Sequence, residues 1–310
     1  EVRDCTVNSI QYNHRVQESN QPDSFSNAAK HVKELTLDSV EKRMISDVPL
    51  GTFLSGGVDS SVIAFCANQI RQIDTFSIGF KGHSVFDESQ DAREFATQIG
   101  TNHHEIEISQ EDLLEIVDGF GRHIDEPFAD SSAIAVNALT KFTRNKMTVA
   151  LSGDGADELF SGYNKHEALY RSMQGGITNS LIKGTSNIAA KLGGSRDSKL
   201  GNKLRQADKF GKGLKLPLRE RYLEWAKFTE KQTVDSILGS TSDLNFPVID
   251  LNNFNDILWQ DFSQVLQNDM LFKVDSMSMY HSLEVRTPFL DRRLVDYVFS
   301  LPSEYKINSE

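Results

Sequence analysis

The 310 residues are 38% hydrophobic and 25% charged, the balance of a soluble globular protein. No uninterrupted apolar run approaches the roughly 20 residues that span a bilayer, and no charged-then-apolar signal opens the chain. A net charge of −11 weighs against nucleic-acid binding as the chain's main business, and two cysteines, Cys5 and Cys66, cannot build a disulfide framework. The expectation is a cytoplasmic protein in a reducing setting, with no membrane and no nucleic-acid partner.

Residues 1–24 are polar and aperiodic and read as a tail or linker stub, leaving 25–310 as the folded domain. Ala28, Val32, Leu35, Val40 and Met44 fit one helical face over 28–45. The apolar run 48–54 reads as a strand, followed by a helix whose buried stripe is Val62, Cys66 and Ile70. A free cysteine in such a stripe behaves as a small hydrophobe. Thr75–Phe80 alternates as a strand, Ala92–Ile99 as a helix, and His104–Ile108 as a third strand. His103 and His104, adjacent on that strand, point to opposite faces and cannot chelate one metal together. Leu113–Val117 and Ala133–Phe142 supply helices, and Met147–Leu151 a further strand. Strands alternating with helices predict an α/β fold, a doubly wound parallel sheet covered on both faces. Ligands of such sheets sit at the carboxyl ends of strands.

From about Tyr170 the pattern changes. Residues 171–213 are rich in Gly, Ser and Lys with weak periodicity, which predicts a flexible basic insertion. Twelve Lys/Arg against three acids over 171–221 read first as solvated helix faces. Leu216–Leu301 reads as mainly helical, with Met277 and Met279 as core.

Two glycine turns carry the chemistry. Ser55-Gly56-Gly57-Val58-Asp59-Ser60-Ser61 follows a strand and opens a helix, so backbone N–H groups and the helix dipole make a phosphate socket there. The spacing from Gly51 to Gly56 mimics a Walker loop, but Val58 stands where its Lys-Ser/Thr would begin. Without that lysine the loop suits pyrophosphate released between the α- and β-phosphates. Asp59 is repulsive beside phosphate unless a cation such as Mg²⁺ bridges them. The second turn, Ser152-Gly153-Asp154-Gly155-Ala156-Asp157-Glu158, puts three acids just after two glycines. Capping of a helix dipole explains one or two of them. Asp157 shares a Mg²⁺ with Asp59 if the two loops end adjacent strands, and Asp154 is placed to orient or deprotonate an incoming amine. Asp154 and Asp59 are the catalytic candidates.

The stretches 55–61 and 151–163 closely resemble the synthetase domain of glutamine-dependent asparagine synthetases. So do Asp125-Glu126-Pro127-Phe128-Ala129-Asp130-Ser131-Ser132, Lys273–Met279 and His281–Asp291. The resemblance implies an adenine nucleotide α-hydrolase-like (PP-loop) ATP pyrophosphatase with a mainly helical carboxyl-terminal part. It would adenylate a carboxylate, aspartate first among them, and let ammonia attack to give asparagine and AMP. By the same carry-over Leu54, Ile78, Ser152 and Gly153 contact ATP, Ser55, Gly56, Gly57, Asp59 and Ser60 hold pyrophosphate, and Asp59 and Asp157 bind Mg²⁺. Glu284 and Arg286 fall in a motif that packs beside the site in this family, with a core ion pair as the alternative. Asp154 stands where many members have Glu, which keeps a sugar acid or a β-amino acid open as acceptor. The family's glutaminase domain has no counterpart before Ala28, and its adenylation lysine would fall beyond Leu301-Pro302. The expectation is therefore a piece of a longer enzyme, or a non-catalytic remnant, that binds ATP but cannot hydrolyse glutamine. Ammonia would come from a glutaminase domain or protein, and a homodimer is allowed.

Overall fold

The computed structural model describes residues 2–3, 6–7, 16–81, 88–121, 124, 126, 128–175, 206, 208–227, 229–239 and 247–308. They fall in two compact units, Glu1–Leu159 with Phe262–Pro302, and Phe160–Asp261 with Ser303–Glu310. Among the described residues no helix is long and apolar enough to cross a membrane.

The first unit contains a five-stranded sheet. In chain order its elements are α1 (Phe25–Arg43), β3 (Leu50–Phe53), α2 (Val58–Ile70), β4 (Asp74–Phe80), α3 (Ser89–Ile99) and β5 (Asn102–Ile108). Then come α4 (Gln110–Phe120), α5 (Ser132–Arg144), β6 (Val149–Leu151), α6 (Ala156–Phe160), a helix Leu271–Tyr280, β7 (Glu284–Arg286) and a helix Arg292–Ser300. Strands β1 (Val2–Arg3) and β2 (Thr6–Val7) pair with each other, so the stretch read as an aperiodic tail holds a short antiparallel ribbon. The sheet order is β5-β4-β3-β6-β7, parallel throughout. Its inner strands are short and buried on both sides, as parallel strands under two helical layers must be. Leu54 packs with Ala64, Ala92 and Ala96 on the α2–α3 face. Phe76, Met147, Ala150 and Leu283 pack with Leu139 and Phe142 on the α5 face. The chain runs outward from β3 to β4 and β5, then returns to place β6 on the other side of β3. The carboxyl ends of β3 and β6 are thus the point where strand order reverses.

Cys66 is buried in α2 as expected, and Cys5 lies outside the described residues. His103 hydrogen-bonds Thr75 and Ser77, while His104 bonds Asp74 and stacks on Phe76, which confirms opposite faces. Two expectations need correction. Glu284–Arg286 is a strand inside a stretch read as helical, because three residues show no period and the neighbouring β6 fixes it by pairing. Met277 is core but Met279 is 53% exposed, since residues two apart on a helix face different ways. Helix α7 (Asn164–Gln174) runs into the start of the expected basic insertion, and 208–213 at its end is helical. Residues 176–205 of that insertion lie outside the described residues.

The second unit is helical: α7, Leu218–Ala226, Lys231–Leu238 and Phe254–Gln260. Its polar centre is Asp261, which is fully buried and accepts hydrogen bonds from the Tyr222 hydroxyl at 2.6 Å and Lys165 Nζ at 2.9 Å, and pairs with His166 Nε2 at 2.5 Å. Burial pushes the Asp261 carboxyl up, but His166, Lys165 and Tyr222 more than offset this and hold it below its ordinary value. Trp225 is stacked on Phe210, its indole N–H donating to the Lys209 carbonyl at 3.0 Å.

Candidate active site

The two glycine turns touch at the strand reversal. Registers Leu50↔Val149 and Thr52↔Leu151 make β3 and β6 neighbours, so the turns that follow them leave the sheet side by side. Gly153 shows how close they come: a Cβ added there would lie 3.0 Å from Ser60 N and 3.1 Å from the Asp59 carbonyl carbon. A side chain at 153 would wedge the two turns apart.

The first turn is tied by its own hydroxyls. Ser60 Oγ accepts from Ser55 N at 3.1 Å, lies 3.0 Å from Ser55 Oγ, and is 3.2 Å from the Gly57 carbonyl that it donates to. Ser55 Oγ accepts from Gly57 N at 3.3 Å. Gly57 is the N-cap of α2 and supplies no side-chain cap, so the first-turn N–H groups of a 13-residue helix are not closed off by a capping side chain. Ser55 and Gly57 are exposed there, and Gly56 turns with φ +84 against Asp91 and Ala92 of α3. The Leu54 side chain is committed to the core at 1% exposure, so its only available contact with a nucleotide is through main chain. Ile78 lies at the carboxyl end of β4, half-buried and paired with Ile106.

The second turn is braced from behind. Ser152 N donates to the Arg286 carbonyl at 2.9 Å, extending the β6–β7 pairing. The Ser152 hydroxyl donates to the Asp154 carboxylate and accepts from Asp154 N at 3.3 Å. Gly155 has φ +95, and a Cβ there would meet Leu290 Cδ2 at 2.4 Å. The segment Pro288–Leu290 is thus the floor of the acidic turn, which explains why two stretches far apart in sequence belong to one site.

Three carboxylates share this junction. Burial, then the charges of Asp157 and Asp154, push the Asp59 carboxyl up from 3.8 to about 6. Burial also pushes Asp154 up, against the Ser152 hydrogen bond and the charge of Lys273. A site that repels its own carboxylates in this way suits a cation. Among the described residues no group of three or more His, Cys, Asp or Glu gathers as a metal centre. A cation held by Asp59 and Asp157 alone would keep water and substrate phosphate as its other ligands, the usual habit of Mg²⁺.

Sequence reasoning quoted Lys273 and Asp130 without giving them a role. Lys273 is 8% exposed, and its ammonium donates to Asp130 Oδ2 at 2.8 Å and Ser132 Oγ at 2.9 Å. Burial pushes the Asp130 carboxyl up, but Lys273 and Ser132 more than offset this and leave it lowered. The available signal was a lysine inside the apolar run Leu271-Phe272-Lys273-Val274, a position that needs a buried partner. Arg286 belongs elsewhere: its guanidinium donates to the carbonyls of Arg43 and Ile45 at 2.8 and 2.7 Å, closing the carboxyl end of α1. Its pair with Glu284, at 2.6 Å, is 55% exposed on the glutamate side and is not a core ion pair. The Arg286 main chain reaches the site, and its side chain is engaged with α1.

A parallel sheet with a lysine-free glycine-serine turn and an acidic turn at its strand reversal is an α/β fold with its candidate site at the strand ends. Residues 31–310 match the sequence family described as Asparagine synthase, and the chain belongs to that family. It is 34% identical over 290 residues to Asparagine synthetase [glutamine-hydrolyzing] 1 of Bacillus subtilis, covering 89% of this chain and 44% of that protein. Asparagine synthetase [glutamine-hydrolyzing] 3 of the same organism is 30% identical over 308 residues, with 94% and 45% covered. The match to Asparagine synthetase B [glutamine-hydrolyzing] of Escherichia coli is 31% over 145 residues, 41% of this chain and 26% of that one. The chain therefore spans less than half the length of these relatives.

Proposed function

We propose that this chain is the ATP-cleaving part of an amide-forming ligase. A carboxylate oxygen attacks the α-phosphorus of ATP, pyrophosphate leaves, and ammonia displaces AMP from the acyl-adenylate to give an amide. The contact of Gly153 with Asp59 and Ser60 carries this reading, because it sets a phosphate socket directly against an acidic turn. The Ser55–Ser60 turn and the start of α2 hold the leaving pyrophosphate through N–H groups, hydroxyls and the helix dipole. Asp59 and Asp157 would hold a Mg²⁺ ion, which supplies positive charge against the developing phosphate charge. Asp154 takes the proton that ammonia loses as the new C–N bond forms. Aspartate is the favoured acceptor because the relatives are named asparagine synthetases. Their names also say glutamine-hydrolysing, so ammonia reaches this site from a glutaminase domain or partner protein. A second acceptor class, a sugar acid or β-amino acid, is favoured by the shorter Asp154 in place of Glu.

The test is pyrophosphate and AMP release by the full-length protein with ATP, Mg²⁺ and ammonia. Aspartate, β-alanine, gluconate and a no-acid control are compared. Release with aspartate supports the first reading, and release with another acid alone supports the second. No acid-dependent release with any of them refutes ligase chemistry.

A further inference from the structure

At the β5 edge of the sheet the first unit holds a groove of about 850 Å³, lined by the end of β5, by one face each of α4 and α5, and by Tyr280 and His281. That is the size of a small-molecule site, and close-packed interiors rarely leave such a volume. No residue of the Ser55 or Ser152 turn lines it. Helix α4 does not fill it, for none of the residues of α4 is buried. The floor is apolar: Ile106 and Ile108 point the same way from β5, and Ala138 and Phe142 come from α5.

The two helices bring opposite chemistry to this floor. Asn137, Lys141 and Asn145 follow one another at four-residue spacing along α5 and its carboxyl end, a ladder in which every rung offers N–H donors. Asp112 and Glu115 share the face of α4 that lines the groove. Asp112 Oδ2 is engaged by the Ser109 N–H and hydroxyl at 2.9 and 2.7 Å, which leaves its other oxygen open. Lys141 and Glu115 make no hydrogen bond or ion pair among the described residues. Asn137 is the independent sign of a ligand. It is 5% exposed, its Oδ1 lies 3.2 Å from His281 Nε2, and its amide donates only to Met277 Sδ at 3.7 Å, a weak acceptor. Its second amide hydrogen has no acceptor among the described residues. A buried donor without a partner costs stability, and an acceptor brought by a ligand removes that cost.

We propose that this groove binds a free amino acid with an apolar side chain. Asn137 and Lys141 take its carboxylate, Glu115 and Asp112 take its ammonium, and its side chain lies on Ile106, Ile108 and Phe142. No covalent bond forms or breaks. The inference stands apart from the ligase reading, because none of these residues has a part in that chemistry.

The experiment is calorimetry on the full-length protein without ATP, using wild type, K141Q and E115Q. The titrants are L-leucine, L-phenylalanine, L-leucinamide, which lacks the carboxylate, and N-acetyl-L-leucine, which lacks the ammonium. Lys141 and Glu115 are exposed and hold no bond within the fold, so both variants should keep the wild-type Tm. Wild type is expected to bind leucine or phenylalanine saturably below about 10 mM, and each derivative about tenfold more weakly. K141Q weakens leucine about tenfold and leaves leucinamide unchanged, whereas E115Q weakens leucine by a similar factor and leaves N-acetyl-leucine unchanged. This crossed pattern assigns each end of the ligand to one wall. Three results each overturn the inference: no saturable binding of either amino acid, binding that both variants leave unchanged, or a K141Q protein that loses leucine and leucinamide alike. None of them bears on pyrophosphate release, so the ligase reading is judged separately.

Discussion

Replacing Asp59 by Asn is expected to stabilise the protein at neutral pH while abolishing amide synthesis. Burial and the charges of Asp157 and Asp154 raise the Asp59 carboxyl from 3.8 to about 6. The folded state therefore binds the Asp59 proton more tightly than the unfolded chain, and stability falls as pH rises from about 4 through 6. A shift of that size corresponds to roughly 3 kcal/mol, and because Asp59 keeps solvent contact, screening trims it to about 1–2 kcal/mol. Asn has nearly the same volume and no proton to lose, so D59N keeps at pH 8 what wild type loses. For a unit of this size that is an increase of about 2–8 °C in Tm. Urea denaturation at pH 4, 6 and 8 without metal measures the difference directly. Added Mg²⁺ with ATP should raise the wild-type Tm and leave that of D59N nearly unchanged, since only a ligand bound by the folded state stabilises it. Equal pH slopes in the two proteins, or a D59N protein less stable at pH 8, would refute the argument that this junction is strained by its own charges.

G155A forces alanine into φ +95 and drives a methyl against Leu290, so it should cost about 2–4 kcal/mol and weaken ATP binding, read by calorimetry. S60A removes the oxygen that ties Ser55 N and Gly57 O together, and should weaken ATP about tenfold, a loss of about 1.4 kcal/mol. D261N withdraws the charge that Lys165 and His166 face in the second unit and should cost about 3–5 kcal/mol in urea. Both tryptophans, Trp225 and Trp259, lie in that unit, so their fluorescence isolates its transition.

Much of the first unit was readable because its signals are local. Val62, Cys66 and Ile70 mark α2 by period, and both glycine turns announce themselves by composition at strand ends. The adjacency of β3 and β6 was a condition of the sequence reading, and the strand pairing that meets it is seen only in the fold. What could not be read depends on partners far away in sequence. β7 is three residues held by pairing with β6, and its period is invisible at that length. Arg286 looked like a site residue because its motif is one, yet its side chain caps α1, a contact 241 residues distant in sequence. Lys273 was legible as an oddity in an apolar run, but its partner Asp130 sits 143 residues earlier.

The division of labour between the two ends of the first unit has a physical reason. A loop of glycines, serines and acids cannot hold itself rigid, because it buries little apolar surface and its carboxylates repel. Rigidity has to be imported from elements that do pack. Leu290 supplies it beneath Gly155, Arg286 supplies it as a carbonyl for Ser152 N, and α3 supplies it behind Gly56. All three act through shape or main chain and bring no charge to the junction. A substitution at Leu290 should therefore disturb nucleotide binding and stability together. If L290A lost stability while its ATP affinity stayed at the wild-type value, the bracing of the acidic turn by Leu290 would be refuted.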